Sequence, residues 1–186
     1  NLAFPSATVE DDLPRQLSRF FTCFPKKSPF NSDVPTLDPT KTIYGSAPPD
    51  HSNILRLTDW CRGAVHDLYI KAGARNFVLV DVPPIDRSTG ALDSSDEMQD
   101  RVETWNDLLH ARASEFATSS PQVTVIVFSL HKVLTDVLDD PLEYDFGEND
   151  PDDEGGAIWE DDLHLTPAVH AILADCLLAS LKAEDQ

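Results

Sequence analysis

The chain has 186 residues, 41% of them hydrophobic and 25% charged, the length and composition of one globular domain with a real core. Its net charge of −19 argues against a protein that grips nucleic acid, because phosphates must be met by a basic surface. No apolar run approaches the roughly 18 residues that a bilayer-spanning helix requires, so no membrane segment is expected.

The chain has no initial Met and no signal peptide, which reads as a mature chain or a fragment. Cys23, Cys61 and Cys176 leave at least one thiol unpaired, and no spacing among them suits zinc. Small buried apolar side chains account for them, with one disulfide left open.

Residues 1–50 read as irregular, broken by prolines at positions 5, 14, 25, 29, 35, 39, 48 and 49. Two short pieces stand out there. Asp11 to Phe21 suits a helix with Leu13, Leu17 and Phe20-Phe21 on one face, and Thr40 to Tyr44 suits a strand. Residues 52–183 form the regular part. From Ser52, apolar residues at Ile54, Leu57, Cys61, Val65, Leu68 and Ala72 recur at helical spacing, and Gly73 is a natural stop.

Phe77 to Val82 (FVLVDV) is a strand of the kind covered on both faces in a parallel sheet. Pro83-Pro84 ends it. Ser94 to Glu97 then reads as a capping box, and Met98, Val102, Trp105, Leu109 and Phe116 predict one apolar helix face. Val123 to Phe128 is a second buried-type strand, so the two strands and their helical crossover predict a βαβ unit. Leu130 to Leu138 suits a short helix. Glu148 to Gly156 is an acidic, solvated loop without the ligand spacing of an EF-hand. The last helix begins with Thr166 as cap and Pro167 as first residue. Its stripe is Val169, Ile172-Leu173, Cys176-Leu177 and Leu181. The fold class is therefore α/β, in one domain spanning residues 1–186.

Ligands of open α/β sheets bind beyond the carboxyl ends of the strands. That brings Pro83 to Arg87, Ser129 to His131 and the loop before the last helix to one rim. The loop reads IWEDDLHLTP, Ile158 to Pro167, and holds Asp161 three residues before His164. Imidazole is a base near neutral pH, and a carboxylate on its other ring nitrogen fixes the tautomer and stabilises the imidazolium. Asp161 and His164 are thus the candidate catalytic pair, with Glu160 and Asp162 as competing carboxylates. Trp159 suits either core packing or stacking on a sugar ring. His131 has a structural role or a substrate contact open to it, and Asp86 and Arg87 are placed to pair with each other.

Residues 158–167 resemble the last block of the SGNH (GDSL-type) hydrolases, in particular the fungal esterases of carbohydrate esterase family 16. Asn76 to Ser88 (NFVLVDVPPIDRS), Val102 to Leu109 (VETWNDLL) and Val123 to Phe146 are similar to further segments of that family, in order. Asp145 stands where the family's last turn carries Gly. The resemblance covers about Asn76 to Ser180. It implies a secreted Ser-His-Asp hydrolase of the lipase/acylhydrolase type on a flavodoxin-like, three-layer parallel sheet. In that scheme His164 is the base and Asp161 its orienting acid. The implied substrate is a small-molecule or polysaccharide ester, with no metal or organic cofactor.

The family's nucleophile comes from a Gly-Asp-Ser block, and this chain contains none. The segment NLAFPSATV resembles the family's second block, with Pro5 and Ser6 in its glycine positions. Thr42 to Asn53 falls at the third, where Gly45 fits but Ala47 and Pro48 replace Asn and Asp. Proline has no N–H to offer an oxyanion. Three explanations stand: an N-terminally truncated domain lacking its first strand, a non-catalytic descendant that binds carbohydrate or a protein, or a local sequence error. The first and second make this chain inactive by itself, and the first makes it poorly stable, since a missing central strand leaves an unpaired edge.

Overall fold

A computed structural model describes residues 13–23, 63–91 and 95–183. The expected strand at Thr40 to Tyr44, the start of the helix after Ser52 and the Ser94 cap all lie outside those residues. So do Pro5, Ser6, Gly45, Ala47 and Pro48.

The elements follow the apolar periodicity closely. Helix α1 is Leu13–Cys23. Residues 63–67 are helical (α2) and widen into a π turn at Leu68–Ala72. Gly73 ends it in the left-handed region at φ 71°, donating its N–H to the Leu68 carbonyl, a conformation that costs glycine nothing. Then come β1 (Asn76–Val80), α3 (Ser95–Ser119), β2 (Thr124–Phe128), α4 (Leu130–Asp139) and α5 (Pro167–Ala183).

Strands β1 and β2 are neighbours in a two-stranded sheet. The bonds flanking it run from Thr124 N–H to the Arg75 carbonyl (2.8 Å) and from Asp81 N–H to the Phe128 carbonyl (3.3 Å). Both partners climb together along the chain, so the pair is parallel, and α3 is the crossover that a parallel pair needs. The described residues are α/β in architecture.

Two compact units are distinguished: Asn1–Phe77 with Ala111–Val125, and Val78–His110 with Ile126–Gln186. In the first, Phe116 of α3 meets Tyr69 and Phe77 edge to face at 5.8 and 5.3 Å, a geometry favoured by the ring quadrupoles. In the second, a core forms from Leu134, Val137 and Leu138 of α4, Val169 and Leu173 of α5, and Phe146, Ile158 and Trp159 between them. Helix α4 starts cleanly because the Ser129 hydroxyl accepts the Lys132 N–H at 3.1 Å. Cys176, half-buried on α5, is a free thiol.

One expectation about burial is not met among the described residues. There β1 is covered on one face: Phe77 is buried, but Val78 and Val80 are 43% and 44% exposed. An apolar run specifies a strand, while burial depends on what packs against each side, and the alternation of side chains separates the two faces. Helix α3, by contrast, buries Val102, Leu109, Ala113 and Phe116, with Met98 and Trp105 half-buried, the face its spacing predicts.

Candidate active site

The ends of the two strands are tied together by Asp81, a buried carboxylate directly after β1. Its Oδ1 accepts the backbone N–H of His131 at 2.8 Å, in the first turn of α4. The first N–H groups of a helix have no partner within it, and this side chain supplies one. The other oxygen, Oδ2, lies 3.8 Å from His110 Nε2. One residue on, the Asn106 side chain holds both polar groups of Val82: its Oδ1 accepts the Val82 N–H (2.8 Å) and its Nδ2 donates to the Val82 carbonyl (2.9 Å). Asp81 and Asn106 thus satisfy the backbone where the sheet stops and the rim begins.

Beyond this point two 3₁₀ turns, Ile85–Arg87 and Thr89–Ala91, carry the chain along the rim. Arg87 pairs with Asp139 at the end of α4 (2.6 Å), not with Asp86, because α4 presents the nearer carboxylate. Asp86 Oδ1 is buried without a hydrogen-bond partner. Gly90 donates its N–H to the Asp162 carbonyl at 2.9 Å, joining this segment to the loop before α5.

That loop is knitted by backbone bonds. Glu160 N–H donates to the His164 carbonyl (2.7 Å) and Thr166 N–H to the Ile158 carbonyl (2.9 Å). The Thr166 hydroxyl donates to the Ala157 carbonyl at 2.6 Å, so this residue closes the loop as well as standing before the helix. Trp159 is 1% exposed, and its indole Nε1–H donates to the Pro151 carbonyl at 2.9 Å. Of its two expected roles the structure selects packing: a ring enclosed by Leu134, Ile158 and their neighbours has no face to offer a sugar.

Inside the loop lie the two candidate residues. His164 Nδ1 stands 2.8 Å from Asp161 Oδ2 and 3.0 Å from Oδ1. The backbone N–H groups of His164 (2.6 Å) and Leu163 (2.9 Å) both donate to Asp161 Oδ1. Those two donors, then the imidazole, hold the Asp161 carboxyl at about 2, below the ordinary 3.8. Of the three acidic residues, Asp161 is the one whose carboxylate meets the ring, while Asp162 and Glu160 join the loop's backbone bonds through their carbonyl and N–H. The His164 side chain is 73% exposed, which leaves the dyad open to solvent. Its geometry suits an imidazole held in one tautomer with Nε2 free to exchange a proton. Among the described residues no cluster of His, Cys, Asp and Glu suits a metal ion, and no helix is long and apolar enough to cross a membrane.

Sequence reasoning overlooked three residues that position this rim. Asp81 was hidden inside an apolar strand run, where a lone acid is itself a signal. Asn106 looked like one polar residue on a helix. Gly90 sits in a Ser-Thr-Gly turn that resembles any surface loop, and only the close approach of another backbone sets it apart.

No protein-family profile matches the chain. Over 129 residues it is 30% identical to an acetylesterase of Thermothelomyces thermophilus, a match covering 64% of this chain and 42% of that protein. The chain thus spans less than half the length of this curated relative. The likeness supports a relationship to esterases.

Proposed function

We propose that the chain is part of a Ser-His-Asp ester hydrolase of the SGNH type, close to carbohydrate esterase family 16, built on a flavodoxin-like sheet and secreted. Its substrates are small-molecule or polysaccharide esters such as acetylated sugars. The observation that carries this reading is the 2.8 Å contact between His164 Nδ1 and Asp161 Oδ2, in a loop braced by buried Trp159. The likeness to an acetylesterase supports it independently.

In the reaction, a serine hydroxyl attacks the ester carbonyl while His164 Nε2 takes its proton. The proton passes to the departing alcohol, and water activated by the same nitrogen then releases the acid. Asp161 stabilises the imidazolium in both halves. This sequence contains no Gly-Asp-Ser, so the dyad is one half of the machinery and this chain alone is inactive.

A second reading rests on a specific observation. Pro5, Ala47 and Pro48 replace oxyanion donors in segments that resemble the family's blocks, which fits a non-catalytic binder of carbohydrate or protein. Aryl-acetate hydrolysis separates the two, measured on this chain and on the longest product of its transcript. The hydrolase reading expects turnover by the longer product and a loss on the order of 10⁴-fold or more in its His164→Ala variant. Equal rates for variant and wild type would remove His164 from the mechanism. No turnover by either product would favour the binder.

A further inference from the structure

We propose that Gly90 is a positioning residue for the Asp161–His164 dyad, acting through the peptide group between Asp162 and Leu163. This inference rests on the reading of that dyad as an esterase base and its orienting acid.

The link runs through one rigid plane. The Asp162 carbonyl and the Leu163 N–H belong to the same peptide group, so neither turns without the other. The carbonyl accepts the Gly90 N–H at 2.9 Å. The N–H of that group donates to Asp161 Oδ1, also at 2.9 Å. Gly90 therefore sets the tilt of one of the two backbone donors that grip the carboxylate, and the carboxylate in turn meets the imidazole.

Only glycine fits this approach. A Cβ on residue 90 would stand 2.9 Å from the Asp162 carbonyl oxygen, 3.2 Å from its Cβ and 3.3 Å from its Cγ. The first of these is backbone, so the strain falls on the peptide plane itself and not on the far end of a flexible side chain. By comparison, a Cβ at Gly63 meets nothing within 4 Å. The segment bearing Gly90 is anchored upstream by Asn106 on Val82 and by Arg87 on Asp139, which gives it something to hold from.

The test is the carboxyl titration of Asp161, followed by NMR in wild type, Gly90→Ala and Gly63→Ala. In Gly90→Ala, with a cooperative melt, the midpoint is expected to rise from about 2 toward the ordinary 3.8, and in Gly63→Ala to stay where it is. An unmoved midpoint in folded Gly90→Ala overturns the proposal. Should Gly90→Ala fail to fold, the wild-type protein decides. A scalar coupling across the hydrogen bond from Gly90 N to the Asp162 carbonyl carbon, with slow exchange of that amide, sustains the proposal, and their absence overturns it. In a hydrolytically active product, Gly90→Ala is expected to lower kcat about 10- to 100-fold with KM little changed. The His164→Ala assay stands apart: if that variant hydrolyses like wild type the esterase reading fails, while the titration still reports whether Gly90 sets the carboxylate.

Discussion

The segment from α4 to α5 and the strand β1 are both rich in apolar residues, yet they end in opposite environments. Between Leu130 and Leu173 eight apolar side chains close into a core. Along β1, Val78 and Val80 remain more than 40% exposed. The difference lies in partners. Two helices and a hydrogen-bonded loop converge on Trp159 from several directions, whereas β1 has one neighbouring strand among the described residues. Hydrophobic content sets how much surface can be buried, and topology decides how much is.

Substitution is the most direct way to break this comparison. Trp159→Ala removes the largest fully buried side chain among the described residues and is expected to cost about 3–5 kcal/mol, read from the midpoint of chemical denaturation. Val80→Thr on the open face is expected to stay within about 0.5 kcal/mol of wild type in the same experiment. A loss of several kcal/mol at Val80 would mean that this face is covered in solution, and the contrast would vanish.

Acid sharpens it next. The Asp161 carboxyl is depressed in the folded loop, first by the His164 N–H, then by the Leu163 N–H and the His164 ring. A depressed carboxylate contributes stability that is full above its ordinary value of 3.8 and is lost as pH falls through about 2. The loop is therefore expected to loosen across that window, and Asp161→Asn to flatten the response. Amide exchange at Leu163 and His164 against pH is the measurement.

The smallest expected effect is a gain. Asp145 ends the 3₁₀ turn after α4 at φ 64°, in the left-handed region that costs a side-chain-bearing residue roughly 1 kcal/mol. Asp145→Gly relieves that cost against the added freedom of glycine when unfolded, for a net gain of about 0.5 kcal/mol in thermal denaturation. The turn at Asp145 thus adopts a conformation that glycine takes at less cost.

Much of the architecture could be read in advance where periodicity was strong. Val102, Leu109 and Phe116 predicted a buried face of α3, and Val169 and Leu173 did the same for α5. Helix α1, Leu13–Cys23, runs two residues past the expected end at Phe21, with Leu17 and Phe21 half-buried on one side. The Asp161–His164 pair was legible because a three-residue separation can be closed by a single turn. The open face of β1 was not legible, since an apolar run carries no record of its neighbours. Nor were Asp81, Asn106 and Gly90, whose partners lie 50, 24 and 72 residues away along the chain, beyond the reach of local pattern.

Trp159 gives the loop a spectroscopic handle of its own. An indole sealed from water and bonded to the Pro151 carbonyl should emit at the blue end of tryptophan fluorescence, and collisional quenchers should reach it poorly. Any event that pries open the segment carrying the histidine would hydrate that ring and move its emission to the red. With Trp60 and Trp105 replaced by Phe, the movements of the dyad could then be followed in real time without a label.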